Sequence, residues 1–177
     1  MLPNLVLIGF MGCGKSSVGR RLAQLTGHRF VDSDEIIVEQ SGLSISSLFA
    51  EVGEVGFREI ESKVLADLVG VCGIILATGG GIVTRPENLP VLREIGIVGW
   101  LDSAPDLLFE RVSRNQRRPL LQTEDPRATF DRLLADRISL YESASEFRVD
   151  SSTMSHEEAA REILDQSMRA LSRREEN

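Results

Sequence analysis

Few folds accommodate an apolar strand that runs directly into a glycine-rich loop and then into a helix, and this chain contains that combination at residues 5–26. The apolar run Leu5–Ile8 is followed by GFMGCGKS at residues 9–16, and apolar residues at helical spacing continue to about Thr26. The loop matches the pattern G-x-x-x-x-G-K-[ST] in the strand-to-helix context that supports it. A glycine turn that merely caps a helix is the alternative. Because loop N–H groups and a helix N-terminus both attract anions, we predict a phosphate-binding loop at residues 9–16.

Individual residues of the loop have predicted tasks. Lys15 is expected to reach the β- and γ-phosphates of a nucleotide, and Ser16 to bind Mg²⁺ through its hydroxyl group. The chain has two lysines among its 20 basic residues, so a lysine in this loop is informative. No Asn-Lys-x-Asp signature for guanine recognition is present. The loop residues predicted to bind the nucleotide are Gly12, Cys13, Gly14, Lys15, Ser16 and Ser17.

Short apolar runs alternate with helical patterns along the rest of the chain. Because strands that are buried on both faces are continuously apolar, this alternation predicts an α/β P-loop NTPase fold with a five-stranded parallel sheet and helices on both faces. No linker or repeat divides the chain, so residues 1–177 are expected to form one domain. The predicted strands cover residues 5–8, 29–32, 73–77, 97–101 and 147–149, and the predicted helices include 15–26, 36–42, 44–52, 57–68, 86–95 and 130–141.

Two segments in the C-terminal half of the chain have sequence patterns that predict a particular local structure. Residues 113–125 are polar and aperiodic, and long connections of this kind are often lids or binding loops, so we predict a mobile lid there. Ser155 and Glu158 have the spacing of a capping box for the last helix. The inward face of that helix is predicted to consist of Ala159, Ile163, Leu164, Met168 and Leu171.

Charge and hydropathy exclude several classes of function. With 20 basic and 27 acidic residues, the net charge of −7 argues against nucleic acids or anionic membranes as partners. No apolar run approaches the roughly 18 residues that a membrane span requires, and residues 1–4 lack the basic start of a signal peptide. The two cysteines have no metal-ligand spacing, which agrees with a reducing compartment. We therefore expect a cytoplasmic protein.

Polar residues and glycines follow the predicted strands, where ligands bind in parallel sheets. Asp32 and Asp34 would face the same way if the backbone were extended, although either could instead cap the next helix. The glycines at 79–81 permit close backbone approach, with a flexible turn as the alternative. Thr78 precedes these glycines, at the position where P-loop proteins usually carry the acidic Walker B residue. The carboxylate on the Mg²⁺ side must therefore come from elsewhere, and Asp32 is the candidate.

Together with the phosphate-binding loop, several further segments resemble the shikimate kinase family of nucleoside-monophosphate-kinase-like P-loop kinases. Their order and spacing carry the resemblance, which covers nearly the whole chain. The segments are FVDSD at 30–34, FRxxE at 57–61, GGG at 79–81, RPLL at 118–121 and RxxxY at 137–141. The resemblance implies transfer of the γ-phosphoryl group of ATP to the 3-hydroxyl of shikimate, with Mg²⁺, in the pathway to chorismate and aromatic amino acids. It also favours a monomer.

The resemblance further implies an acceptor site, built on an acceptor-binding segment at 33–61. Asp34 hydrogen-bonds the attacking hydroxyl and is the candidate base, whereas Asp32 acts near Mg²⁺ through water. Arg58 and Arg137 surround the carboxylate of shikimate, an anion that suits guanidinium groups. An i,i+3 pair with Glu61 could hold Arg58 in place. The residues implied to bind shikimate are Asp34, Arg58, Gly79, Gly80, Gly81 and Arg137.

Basic residues in and beside the predicted lid complete the implied catalytic set. Arg118 is implied to contact the transferring phosphate, and Arg111 to lie against adenine. Arg117 is interpreted as a solvated loop residue. The implied catalytic residues are therefore Lys15, Asp34 and Arg118.

Two other functions remain as alternatives. One is a kinase for another small polyol or acid, such as gluconate. The other is a noncatalytic nucleotide-binding regulator with the same fold. The acceptor-site arginines disfavour the first, and the presence of Asp34 together with Arg58 and Arg137 disfavours the second.

Overall fold

The strands and helices follow the predicted alternation. The structure is a computed structural model, and it describes residues 3–114 and 119–176. Within these residues the strands are β1 Leu5–Ile8, β2 Arg29–Asp32, β3 Ile74–Ala77, β4 Ile97–Asp102 and β5 Phe147–Asp150. The helices are α1 Lys15–Thr26, α2 Ser33–Ser41, α3 Ile45–Asp67, α4 Asn88–Ile95, α5 Pro105–Ser113, α6 Pro126–Ala144 and α7 His156–Glu175. Short 3₁₀ helices cover Ile82–Thr84 and Pro119–Leu121.

The sheet places the phosphate-binding loop at its topological switch point. All strand pairs are parallel, and the order is β2-β3-β1-β4-β5, which confirms the predicted sheet. β2 and β3 lie on one side of β1, and β4 and β5 lie on the other. Ligands of open parallel sheets bind where the order reverses, outside the carboxyl ends of the strands. The segments that follow β1, β2 and β3 therefore meet at the expected binding place.

Helices cover both faces of the sheet, as predicted. Leu7 of β1 packs near Gly19 of α1, whereas Trp100 of β4 stacks on Tyr141 of α6. The residue of β1 that pairs with Trp100 is Ile8, so Leu7 and Trp100 point to opposite faces. α7 packs beside α1 on the first face. Within residues 3–114 and 119–176, none of the helices is long and apolar enough to cross a membrane.

Two hydrophobic clusters hold these layers together. In the main one, the β1 side chains are at most 1% exposed, as a strand covered on both faces requires. A smaller cluster lies between α2 and α3 and consists of Ile37, Leu48, Phe57 and Val64. This second cluster fixes α3 against α2, and so positions the polar side chains that the two helices carry toward the sheet.

The helical patterns at 44–52 and 57–68 correspond to the two halves of α3. Gly53 separates them, with φ of 71° and ψ of −179° inside an otherwise helical segment. Because side chains rarely adopt a positive φ, a glycine is favoured at this break.

The last helix confirms one prediction and corrects another. Ser155 Oγ accepts a hydrogen bond from the Glu158 N–H, and the Glu158 carboxylate accepts one from the Ser155 N–H, so the capping box is present. The predicted inward face is partly wrong, since Met168 is 47% exposed. α7 packs on α1, β4 and β5, and its buried face consists mainly of small side chains. The buried residues of α7 are Ala159, Ala160, Ile163, Ser167 and Ala170.

The predicted lid at 113–125 is described only in part. Its 3₁₀ turn at Pro119–Leu121 contacts α6. Arg117 and Arg118 lie outside the described residues, so the mobility of the segment and the role of Arg118 stay predictions.

Candidate active site

The phosphate-binding loop closes around the ammonium group of Lys15. The residue before α1, Gly14, has a φ of 95°, a left-handed conformation that favours glycine. Lys15 Nζ donates hydrogen bonds to the carbonyl oxygens of Gly9 at 2.8 Å and Phe10 at 3.0 Å. The cation therefore lies inside the curve of the loop, where it can meet phosphate oxygens together with the N-terminus of α1.

Asp32 joins the loop to the end of β2. Its Oδ2 atom accepts a hydrogen bond from the Ser16 hydroxyl at 2.8 Å, and its Oδ1 atom accepts one from the Asp34 N–H at 3.0 Å. Asp32 thus caps α2 and also lies beside the predicted Mg²⁺ ligand. Of the two arrangements that the sequence left open, Asp32 adopts the cap, and Asp34 belongs to the first turn of α2 instead of extending beside it. The capping hydrogen bond forms only with this turn in place.

The Ser16 and Asp32 side chains fit the predicted metal. Both line the same cavity, and both present the oxygen atoms that Mg²⁺ prefers. In the described part of the chain, no group of three or more His, Cys, Asp or Glu could hold a metal by itself. P-loop sites do not need such a group, because the nucleotide phosphates and water supply most of the ligands.

A cavity of about 930 Å³ opens over the loop. Most of the predicted nucleotide-binding residues line it, but the Cys13 side chain is 2% exposed and belongs to the hydrophobic core. Lys15 Nζ lies 3.5 Å from Cys13 Sγ. The residues that line this nucleotide cavity are Met11, Gly12, Gly14, Lys15, Ser16, Ser17, Asp32, Asp34, Thr78, Gly79, Gly80, Arg111 and His156.

Arg111 and His156 form the outer rim of the nucleotide cavity. Arg111 Nη1 donates a hydrogen bond to the Gly12 carbonyl at 3.3 Å, so the predicted adenine-side residue lies against the loop. His156 begins α7, and the sequence carries no signal for its place in the cavity wall. Only the docking of α7 beside α1 brings it there.

A second cavity, of about 480 Å³, contains all the residues implied to bind the acceptor. The sequence did not indicate its apolar wall, because apolar side chains there follow the same patterns as core residues. The residues that line this acceptor cavity are Met11, Asp34, Ile45, Phe49, Phe57, Arg58, Glu61, Gly79, Gly80, Gly81, Leu120 and Arg137.

The two cavities share a wall. Met11, Asp34, Gly79 and Gly80 line both of them. Asp34 therefore lies at the boundary between the phosphate-binding loop and the acceptor cavity. Ligands in the two cavities can approach each other at this boundary, and holding two reactants in contact is a large part of catalysis for a group transfer.

Arg58 is buried and held by two carboxylates. Its Nη1 atom donates to Glu61 at 2.6 Å and its Nη2 atom to Glu54 at 3.0 Å, which confirms the predicted i,i+3 pair. The Arg58 side chain is 9% exposed and that of Glu61 is 1% exposed. Burial acts to lower the pKa of Arg58, but the two carboxylates raise it above its ordinary value. The guanidinium group therefore stays charged in the cavity wall.

Glu61 adds a buried carboxyl group to the same wall. Burial raises the pKa of Glu61, and the charge of Asp34 adds to this effect, whereas Arg58 and Arg137 act in the opposite direction. The acceptor cavity thus has two arginines and two acids around a small volume. The negative charges of the acids partly balance the positive charges of the arginines before any ligand binds.

Arg137 reaches the acceptor cavity from α6. It is 4% exposed, and its Nη1 atom donates to the Gly80 carbonyl at 3.4 Å. Its guanidinium carbon lies 5.6 Å from the centre of the Phe10 ring. The prediction that Arg58 and Arg137 come together despite their distance in sequence is confirmed.

The segment 79–81 favours glycine because neighbouring side chains lie very close to its backbone, and not because its backbone has positive φ angles. Gly81 has an ordinary φ of −97°. A Cβ atom on Gly81 would lie 2.1 Å from Arg58 Cζ, and one on Gly79 would lie 2.3 Å from Glu61 Oε1. The Gly79 N–H also donates to the buried Ser33 hydroxyl at 3.1 Å, a contact that sequence reasoning missed. The segment is therefore packed on both sides, and the alternative of a flexible turn is wrong.

Comparison with solved structures shows how widely the fold is used. A gluconokinase from Sinorhizobium meliloti 1021 is 18% identical, with 95% of this chain and 93% of that chain covered at a TM-score of 0.51. This likeness concerns the fold alone. The fold, with a phosphate-binding loop beside a small acceptor cavity, defines a P-loop kinase.

The family model described as shikimate kinase matches residues 11–168. The chain therefore belongs to the shikimate kinase family. A shikimate kinase from Actinobacillus pleuropneumoniae serotype 5b (strain L20) is 43% identical over 162 residues, which cover 92% of this chain and 94% of the relative. The structure of a shikimate kinase from Acinetobacter baumannii in complex with shikimate has a TM-score of 0.92 at 38% identity, with 96% of this chain and 94% of that chain covered.

Proposed function

We propose that this chain transfers the γ-phosphoryl group of ATP to the 3-hydroxyl group of shikimate, with shikimate 3-phosphate and ADP as products. The observation that carries the proposal is the wall shared by the two cavities, with Asp34 on it. One cavity contains the phosphate-binding loop, and the other contains two buried arginines. Membership of the shikimate kinase family supports shikimate as the acceptor.

Arg58 and Arg137 are proposed to bind the carboxylate of shikimate. Guanidinium groups form paired hydrogen bonds with carboxylates. Glu61 and Glu54 already orient Arg58, so its side chain loses little freedom on binding.

Asp34 is proposed to accept a hydrogen bond from the 3-hydroxyl group and to take its proton as the oxygen attacks phosphorus. Its place on the shared wall supports this role, because the attacking hydroxyl and the terminal phosphate must meet there. Gly79, Gly80 and Gly81 are proposed to border the shikimate ring on the same side.

The loop residues are proposed to hold the triphosphate. Lys15 would exchange its contacts with Gly9 and Phe10 for phosphate oxygens, and the loop amides from Gly12 to Ser17 would surround them. Ser16 is proposed to bind Mg²⁺ directly, and Asp32 to hold it through water. When bound, Mg²⁺ neutralises negative charge on the phosphates.

The segment 113–125 is proposed to close over ATP as a lid. Exclusion of water at this stage would limit wasteful hydrolysis of ATP. Arg118 is proposed to contact the transferring phosphoryl group. Arg111 is proposed to lie against adenine, which its place on the rim of the nucleotide cavity supports.

We further propose that residues 1–177 form a single kinase domain that acts as a cytoplasmic monomer, with 33–61 as its acceptor-binding segment. The described strands belong to one sheet, which supports a single domain. The net charge of −7 disfavours nucleic acids and anionic membranes as partners.

A panel of acceptors tests the proposed function. ADP formation from ATP and Mg²⁺ is measured with shikimate, quinate, gluconate and nucleoside monophosphates. We expect rapid ADP formation with shikimate and none above background with gluconate or nucleoside monophosphates. The methyl ester of shikimate, which lacks the negative charge, should show a much higher KM because the arginines lose their ion pairs. ADP formation that does not depend on shikimate would refute the proposed substrate.

The Gly81→Ala variant is expected to raise the KM for shikimate by about tenfold or more. The added methyl group would overlap the Arg58 guanidinium group, and overpacking of this kind costs about 1–3 kcal/mol. The KM for ATP should change little, since Gly81 does not line the nucleotide cavity. Steady-state kinetics with each substrate varied in turn measure both values.

A double-mutant cycle identifies Arg58 as the target of the Gly81 substitution. If the methyl group acts by displacing Arg58, it should have little further effect in an Arg58→Ala background. Equal effects of Gly81→Ala in the two backgrounds would contradict the explanation by displacement.

A further inference from the structure

Tyr141 is a fully buried residue whose hydroxyl group contacts the acceptor-site backbone. The residue is 0% exposed, and its hydroxyl donates a hydrogen bond to the Gly80 carbonyl oxygen at 2.5 Å. Burial raises the pKa of Tyr141, so the hydroxyl keeps its proton and remains a donor. Tyr141 does not line either cavity, and so it acts on ligands only through its neighbours.

The hydrogen bond from Tyr141 sets the direction of a peptide group in the cavity wall. A peptide unit is planar and trans, so its C=O and N–H point in opposite directions. Because the Gly80 carbonyl points to Tyr141, the Gly81 N–H of the same peptide points away from Tyr141. Both glycines line the acceptor cavity. Neither residue has a side chain, so the hydrogen bond from Tyr141 adds to the packing of the segment as a restraint on rotation of this peptide.

The same carbonyl also receives a longer contact from Arg137. Arg137 lies one helical turn before Tyr141 on α6, and its Nη1 atom is 3.4 Å from the Gly80 oxygen. The Tyr141 contact is the shorter of the two. When Arg137 turns to a ligand carboxylate, Tyr141 keeps the carbonyl satisfied and the peptide in its orientation.

The ring of Tyr141 cannot easily leave this position. It stacks on Trp100 with a centroid distance of 5.8 Å and an interplanar angle of 27°. Arg148 covers Trp100 at 4.6 Å from the ring centroid. Packing of α6 on β4, with β5 beside it, therefore holds the hydroxyl against Gly80 before a ligand arrives, and such preorganisation favours binding.

We propose that Tyr141 is a positioning residue for the acceptor, whose hydroxyl group fixes the Gly80–Gly81 peptide and frees Arg137 to bind the carboxylate of shikimate. The proposal rests on the proposed function, because it assigns Tyr141 to the acceptor site of that reaction. It predicts that loss of the hydroxyl group raises the KM for shikimate and leaves the KM for ATP nearly unchanged.

The Tyr141→Phe variant tests this role, because it removes the hydroxyl group and keeps the stacked ring. We expect the KM for shikimate to rise about five- to tenfold, the change that corresponds to loss of one buried hydrogen bond. The KM for ATP should stay within about twofold, because the phosphate-binding loop is unchanged. Calorimetric titration with shikimate alone should show the same loss of affinity.

The Leu134→Val variant is the matched control for stability. Leu134 is buried on α6 and does not line the acceptor cavity, so its truncation should lower the melting temperature without changing the KM for shikimate. A Tyr141→Phe variant whose KM for shikimate stays within about twofold of the unmodified chain would overturn the inference. Equal increases in the KM for shikimate in both variants would overturn it as well. Absence of shikimate-dependent ADP formation in the unmodified chain would instead refute the proposed function, and the inference with it.

Discussion

The Asp34→Asn variant is expected to reduce kcat about 10²–10⁴-fold, the usual contribution of a positioned general base. Asn has nearly the same shape as Asp, but it has no negative charge to accept the proton of the 3-hydroxyl group. The KM for ATP should change little, because Lys15 and Ser16 are untouched. Measurement of ADP formation at saturating shikimate gives kcat, and binding of an ADP analogue gives the nucleotide affinity. An Asp34→Asn variant as active as the unmodified chain would remove Asp34 from the mechanism.

The Glu35→Gln variant is the matched control for Asp34→Asn. Glu35 follows Asp34 in the first turn of α2, but its side chain is 63% exposed and pairs with Arg20. Loss of either acid removes one favourable charge from the helix N-terminus, which is worth about 0.3–1 kcal/mol. The two variants should therefore have similar stability, while only Asp34→Asn loses catalysis. A comparable loss of kcat in both would point to a defect in α2 instead of a missing base.

The Lys15→Met variant is expected to lower kcat/KM for ATP about 10²–10³-fold or more, since each 1.36 kcal/mol of lost transition-state stabilisation is a factor of ten. The substitution removes the cation that lies inside the loop, and with it the hydrogen bonds from Lys15 Nζ to the carbonyl oxygens of Gly9 and Phe10. Affinity for shikimate alone should be nearly unchanged, because Lys15 does not line the acceptor cavity. Titration with an ADP analogue and with shikimate separates the two effects.

Lys63, the second of the two lysines in the chain, provides the matched control for Lys15→Met. Lys63 lies on the exposed side of α3, away from both cavities. The Lys63→Met variant should retain full activity. If both lysine variants lost activity together, the effect would come from net charge or folding and not from the phosphate-binding loop.

Local parts of the site could be predicted from the sequence. Lys15 and Ser16 begin α1 immediately after a glycine loop, and a few adjacent residues determine that arrangement. Arg58 and Glu61 lie three residues apart on a helix, so helix geometry alone brings their side chains together. The Ser155–Glu158 capping box follows from local spacing in the same way.

Sequence patterns left one point of the site open and were wrong about one residue of the fold. They allowed Asp32 and Asp34 to face the same way in an extended segment or to cap the next helix, and the hydrogen bond between them shows that Asp32 caps α2. Met168 fits the apolar stripe of α7, yet the buried face of that helix consists mainly of smaller side chains and Met168 is 47% exposed. The periodicity of α7 identifies an apolar stripe, but the packing of the helix decides which residues of the stripe are covered.

By itself, the sequence determined the order of strands and helices, the phosphate-binding loop and the pairing of neighbours on single helices, because hydrogen bonding and periodicity act over a few residues. Only the tertiary structure decided that Asp34 stands between the two cavities, that Arg58 fills the space beside Gly81, and that Tyr141 holds the Gly80 carbonyl. Those contacts join residues far apart along the chain. They exist because the docking of α3 and α6 on the sheet, and the packing of the whole core, bring the segments within hydrogen-bonding distance.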